Sequence, residues 1–392
     1  MTDPASNPTL PSNPAPAKNH EKKWYWIAGA FFALCGIGYG IYYWTYGQYH
    51  ETTDDAYVNG NLIMVTPQVS GIITQILVDN TQIVEAGQPL VLLDRHDYEI
   101  AMEKAKADLA DTVRTVVQMF IKVEELKAKR EANEATVVRA TLDFNHRKAL
   151  VGDQSVSLED FQHSETDLLN AVATLREVEK ELEGAIAEVK NTTVPRHPKV
   201  EQAKSALRQA YLALHRCRVL APTKGIITQR RAQVGQWTNG DDKLMALVPV
   251  DQMWVDANFR EVELKNFRIG QPVELVADMY GSDVVYHGQL IGLNPGTGSV
   301  FSILPPQNAT GNWIKIIQRI PVKVSLDPNE LQQYPLVLGL SMTVNVDTHD
   351  HRGLQLPSTS AVKPIYLSDV YTDELIGVEA VIDQIIADNS NG

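Results

Sequence analysis

One pentapeptide occurs twice in the chain: Gly71-Ile72-Ile73-Thr74-Gln75 returns unchanged as Gly225-Ile226-Ile227-Thr228-Gln229. The punctuation around the two copies also matches. A glycine turn follows each, Val84-Glu85-Ala86-Gly87-Gln88 in the first and Val234-Gly235-Gln236 in the second, and then another apolar run, Leu90–Leu93 or Leu244–Val248. Short β-rich runs between Gly and Asn/Asp turns predict two matching halves of one small β-sandwich. A domain divided between such distant segments has to send everything in between out of its fold and back.

The intervening residues change period from strand to helix. Met102, Leu109, Val116, Val123, Val137 and Phe144 follow a seven-residue repeat with Arg130 at the missing step, and Ala105, Thr112, Met119, Leu126 and Ala140 accompany them. Phe161, Leu168, Leu175, Leu182 and Val189, with Ala171, Val178 and Ala185, form a second such run. Sustained spacing of this kind predicts a coiled-coil seam. Pro195 and Pro198 interrupt it, since proline cannot sit inside a helix, and Val200, Leu207 and Leu214 resume it after a register shift. Gly152 and Asp153 supply turn chemistry, and Ser157 with Asp160 suits a capping box. An antiparallel helical hairpin over 95–218 follows, its tip at about 150–157 and each arm ~50–60 residues, or roughly 75–90 Å. Cys217 falls on the seam and is expected to be a buried apolar residue.

Residues 1–21 are rich in Pro, Asn, Ser and Ala and predict a disordered tail. Lys18, Lys22 and Lys23 lead into an uncharged run from Trp24 to Tyr49, enough for one helix across a ~30 Å hydrocarbon layer. Trp24, Tyr25 and Trp26 mark one end, and Tyr42, Tyr43, Trp44 and Tyr46 the other, as two aromatic belts. The expected anchor is therefore 22–49. Lysines before it and Glu51, Asp54 and Asp55 after it place the N-terminus in the cytoplasm by the positive-inside rule. A cleaved signal peptide fits poorly: the run exceeds the usual ~7–15 apolar residues and its bulky end lacks a small-residue cleavage site. Cys35, inside the span, reads as a packing residue.

Composition removes several function classes. A formal net charge of −13 argues against nucleic-acid binding, which needs a concentrated Lys/Arg surface. Two cysteines exclude a disulfide framework or a Cys-rich zinc module, and His146, His163, His349 and His351 lack metal-ligand spacing. Gly292–Gly298 lacks the Gly-Lys-Ser/Thr ending of a phosphate loop. No Ser/His/Asp, Cys/His or paired-carboxylate set emerges from spacing, so neither an enzyme nor a cofactor is expected.

A β-sandwich split by an antiparallel coiled coil, behind a single anchor, resembles the membrane-fusion or periplasmic adaptor family, whose sandwich halves are lipoyl/biotinyl-like. Thr53-Asp54-Asp55-Ala56-Tyr57-Val58, Met253-Trp254-Val255-Asp256-Ala257-Asn258-Phe259 and Gln307-Asn308-Ala309-Thr310-Gly311-Asn312-Trp313-Ile314-Lys315 are similar to its HlyD/EmrA branch. The likeness spans about residues 22–350. It implies a multidomain α+β fold: a single transmembrane helix, a lipoyl-like β-sandwich over 50–94 and 219–249, the hairpin, and a C-terminal antiparallel β-barrel over 250–350. It further implies an inner-membrane, single-pass protein of a Gram-negative bacterium, its bulk periplasmic. There it would bridge a major-facilitator (EmrB-like) pump and a TolC-like outer-membrane channel in multidrug efflux, as a homo-oligomer, trimer or hexamer. An adaptor for type I protein secretion or another exporter is the alternative, and a coiled-coil envelope tether a third reading. A true lipoyl carrier presents a modifiable lysine on a hairpin between its halves; here the coiled coil occupies that place, and Lys224 precedes a strand.

In this family an Arg, a Leu and a Ser at the hairpin tip contact the outer-membrane channel. Leu150 and Ser157 match the Leu–Ser spacing; the Arg position holds His146, with Arg147 one residue later, a departure from the pattern. In the C-terminal third, Trp254–Phe259, Pro272–Val276, Gln289–Leu293, Ile320–Ser325 and Met342–Val346 read as barrel strands. Phe301, Leu304 and Trp313 lie on an apolar loop that suits a drug or partner surface and equally a covered core. Residues 351–392 are expected to form a tail with a strand and a short helix.

Overall fold

The structure, a computed structural model, describes residues 20–152, 155–298, 300, 315–356 and 364–390. In chain order they form α1 (His20–Thr45), β1 (His50–Gly60), β2 (Ile63–Val65), β3 (Gly71–Ile76), β4 (Ile83–Val84), β5 (Pro89–Leu93) and α2 (His96–Val151). Then come α3 (Leu158–Val189), α4 (Pro198–His215), β6 (Arg218–Leu220), β7 (Gly225–Thr228), β8 (Trp237–Thr238), β9 (Met245–Val248) and β10 (Met253–Arg260). β11 (Pro272–Ala277), β12 (Val285–Leu293), β13 (Arg319–Ser325), α5 (Pro328–Gln333), β14 (Ser341–Asp347) and α6 (Val378–Ser390) complete the order. They divide into two compact units, Met1–Asn61 with Val250–Pro364, and Leu62–Pro249 with Ile365–Gly392.

The second unit contains the split sandwich. Its sheets run β2-β9-β7-β4 and β6-β5-β3-β8, so the repeated pentapeptides supply one strand to each. Each half also lends its turn strand to the other half's sheet. Ile83 and Val84 pair with Ile226 and Gly225, and Trp237 and Thr238 pair with Ile72 and Gly71. Backbone bonds repeat the exchange: Thr81 donates to Ile227 and Ile227 to Gln82, while Gly235 donates to Ile73 and Ile73 to Gln236. Alternation along a strand sends Ile73 and Ile227 fully into the core with Leu90, Val91 and Leu247. Each such burial contributes about 1.5–3 kcal/mol.

From this sandwich α2 runs out for 56 residues, about 84 Å. The return arm is α3 followed by α4, broken at the two prolines: Val194–Arg196 form a single 3-10 turn, and Pro198 opens α4. The buried His197 caps α4 there, its Nδ1 accepting from the Lys199 N–H at 3.3 Å. Leu109, Val116, Val123, Leu126, Leu182, Val189 and Leu207 are buried on the seam, as the heptads predict. Val113 is buried as well, outside the a/d pattern, because α6 packs against α2 and α4 and puts Val378, Ile382 and Ile386 in the same cluster. Arg208 makes a two-pronged ion pair with Glu379 at 2.6 and 2.9 Å, and the Tyr211 hydroxyl donates to the Ile376 carbonyl. Arg216 holds Glu374 at 2.8 Å, and Ser368 donates to the Pro222 carbonyl. The strand expected in the tail is absent among the described residues, and the short helix expected there is α6.

In the first unit a closed antiparallel barrel has the order β1-β10-β13-β12-β11-β14. The expected start of the split sandwich at residue 50 is therefore corrected: His50–Gly60 is a barrel strand, paired Ala56 to Ala257 and His50 to Asp347. Thr53, Ala56 and Val58 point into a core with Val255, Phe259, Leu275, Tyr286 and Val344. A register shift between Thr53 and Ala56 accommodates Asp54 and Asp55. The helix α1, 26 residues or about 39 Å, is in the same unit; it is long and apolar enough to cross a membrane.

Candidate functional site: the hairpin tip

The tip is built by the last turns of α2 and the first of α3. Phe144 and Phe161 stack across the arms with ring centroids 5.4 Å apart, and Lys148 lies 5.7 Å above the Phe144 ring. Arg147 donates from Nη1 to the Asp160 carbonyl at 3.2 Å. Ser157 caps α3: its Oγ accepts from the Asp160 N–H at 3.0 Å and donates to the Asp160 carboxylate at 2.6 Å. This satisfies an otherwise orphaned helix donor and places acidic Glu159 and Asp160 at the positive end of the helix dipole.

The four sequence-predicted residues have different situations on this platform. Leu150 is 44% exposed, an apolar side chain in solvent, and His146 is exposed with no hydrogen-bond partner among the described residues. Arg147 is half-buried and tied to the other arm, and the Ser157 hydroxyl is engaged in the cap. Leu158, directly after the cap and 64% exposed, belongs with Leu150 as unpartnered apolar surface. Its signal in the sequence is its place off the Phe161–Leu168 seam, one residue after the capping serine.

Phe301, Leu304 and Trp313 lie outside the described residues. Flanking them, Val300, Ile316 and Ile317 are exposed, and a cleft of about 600 Å³ is lined by Leu264, Leu293, Val300, Ile320 and Leu356. A second cleft, of about 640 Å³, lies at the hairpin base among Leu92, Met102, Leu214 and Cys217, with Arg95 and His215 on its wall. Burial pushes the Cys217 thiol up to about 11, so it is neutral and unreactive at physiological pH. Among the described residues no group of three His, Cys, Asp or Glu is placed to hold a metal ion.

Residues 96–217 match the family described as the EMRA alpha-helical hairpin domain. The chain is 41% identical over 354 residues to the Multidrug export protein EmrA of Escherichia coli K12, covering 90% of this chain and 91% of that one. It is 37% identical to the protein of the same name from Haemophilus influenzae, covering 95% and 96%. Among solved structures, one described as the periplasmic adaptor protein EmrA aligns with a TM-score of 0.39 at 19% identity, over 76% of this chain and 99% of that one.

Proposed function

The chain belongs to the EmrA family of multidrug export proteins, and from that premise we propose that it bridges an inner-membrane major-facilitator (EmrB-like) pump to a TolC-like outer-membrane channel. α1 anchors it with the N-terminus in the cytoplasm, and the hairpin carries the docking tip. The observation that carries this reading is the tip itself. A rigid, capped helical turn presents Leu150, Leu158 and His146 to solvent at the far end of a stalk tens of ångströms long. The role is mechanical: enclosure and reversible docking, with energy supplied by the pump. Phe301, Leu304 and Trp313 are proposed as a surface for hydrophobic cargo or for the pump.

The test is resistance to exported drugs in cells carrying Leu150→Asp with Ser157→Asp. Asp is itself a good helix cap, so the second change adds charge while sparing α3; Ser157→Ala, which costs about 1 kcal/mol of capping, is the control. Resistance is expected to fall to the level of a strain lacking the protein, with membrane insertion and pump co-purification intact. Unchanged resistance sinks the tip assignment.

A further inference from the structure

The end of the barrel that α1 enters carries an apolar rim left uncovered by the fold. In the closed antiparallel order, β1, β11 and β13 begin at this end and β10, β12 and β14 finish there. The pairs His50–Asp347, Arg260–Arg319, Leu293–Val322 and Val273–Val346 fix that arrangement. The described parts of 261–271, 294–318 and 348–356 therefore gather at one end. The Glu261 N–H donates to the Gln318 carbonyl, the Ile269 N–H to that of Leu354, and the Gln355 amide to that of Lys265. On this platform Val262, Val300, Ile316, Ile317, Leu354 and Leu356 are 54–68% exposed. The cleft of about 600 Å³ is lined by the same three stretches. Single exposed apolar side chains are ordinary, but six from three loops at one end make a patch of the kind that marks a contact.

α1 meets this rim with almost no slack. Four residues, 46–49, separate it from β1. Thr348 donates from its N–H and its hydroxyl to the Tyr49 carbonyl, at 2.7 and 2.8 Å. The Tyr49 ring stacks on His349 with centroids 4.1 Å apart, and Tyr46 on His50 at 3.8 Å. The last residue before the barrel is thus bonded to the rim, and Tyr42, Tyr46 and Tyr49 have the amphipathic rings that settle at headgroup level. Any bilayer that α1 crosses therefore lies next to these loops.

We infer that the rim is a lipid contact: its six aliphatic side chains sit in the headgroup layer of the bilayer that α1 crosses and seat the barrel on it. At that depth the loop backbone still meets water, so loops can lie there although they could not enter the hydrocarbon. Apolar area buried at the interface supplies the affinity. Arg260 pairs with Glu263 and Arg352 with Asp350 inside the rim, so apolar contact leads and no particular anionic headgroup is required. The inference rests on α1 as the anchor and is independent of the bridging of pump and channel.

The test uses the full chain in phosphatidylcholine vesicles with no partner protein. Cys35→Ser is the background, and labelling at pH 8 spares the buried Cys217, whose thiol stays protonated. Val262→Cys, Ile316→Cys or Leu354→Cys carries an environment-sensitive fluorophore. Val337→Cys, equally exposed on the loop before β14 at the other end of the barrel, is the control. Lipids bearing a quencher near the headgroup are expected to remove most of the fluorescence at the three rim positions and little at Val337→Cys, and aqueous iodide to do the reverse. Iodide quenching as strong at the rim as at the control overturns the inference. So does shielding from iodide that arises only when an inner-membrane pump is reconstituted alongside, since the rim is then a protein surface. A chain that alkaline carbonate strips from the vesicles loses the anchor reading too, whereas an iodide-exposed rim on a carbonate-resistant chain sinks the lipid contact alone.

Discussion

Gly225 and Gly71 occupy matching places in the repeat but face different neighbours. A Cβ on Gly225 would come within 2.5 Å of the Val248 carbonyl oxygen, whereas one on Gly71 meets nothing closer than the Leu93 Cβ at 3.6 Å. Gly225→Ala is therefore expected to destabilise the sandwich by about 1–3 kcal/mol, the usual cost of overpacking, and Gly71→Ala by less than about 1 kcal/mol. Thermal melts of the two purified variants check the order. Cys217 offers a second measurement. Because burial keeps its thiol protonated up to about pH 11, alkylation at pH 8 should spare it in the folded chain and modify it after denaturation. At this scale the sequence was most legible where partners are close in the chain. The Ser157–Asp160 cap is three residues wide, and the inward Ile73 and Ile227 follow from two-residue alternation. The Arg216–Glu374 pair joins residues 158 apart, and no local pattern pointed to it.

Among the elements, α6 is the one whose position no periodicity foretold. Its apolar Val378, Ile382 and Ile386 could be read as a short amphipathic helix, but amphipathicity names a face and not the surface it meets. The same limit explains β1, whose membership of the barrel depended on Ala257 and Asp347, far along the chain. At the hairpin base, burial outweighs charge. Ile382→Ala should cost about 2–5 kcal/mol as a cavity, and raise amide exchange around Leu109–Val116 of α2. Glu379→Gln should cost under about 1 kcal/mol, since the Arg208–Glu379 pair is half-exposed and solvent-screened. Hydrogen bonds from Arg208 hold the Glu379 carboxyl below its ordinary value. The small contribution of the pair is accordingly present above the usual carboxylate range and lost as pH falls through the lowered value.

For the whole molecule, stalk length is the property on which the proposed bridging depends. Removing one heptad from each arm at matched levels shortens the hairpin by about 10.5 Å while keeping every seam residue in register. Drug resistance is expected to fall with each heptad removed, though membrane insertion and the helical circular-dichroism signal persist. Full resistance after such deletions would mean that the hairpin is no spacer. The architecture was largely legible because its two strongest signals, an identical repeat and a sustained heptad, are each self-contained. The role of Phe301, Leu304 and Trp313 was not, since whether such residues line a site or fill a core depends on neighbours from other strands.

The reciprocal lending of turn strands between the sandwich halves has a consequence for biogenesis. Neither half can complete a sheet without the other, and the ribosome makes roughly 125 residues between them. At ~5–20 residues per second the first half waits on the order of 6–25 s, its Ile73, Leu90 and Val91 uncovered. The nascent protein must meanwhile be shielded by a chaperone or by early zipping of the helices, and translation or secretion stalls in that interval should be the principal source of its aggregation.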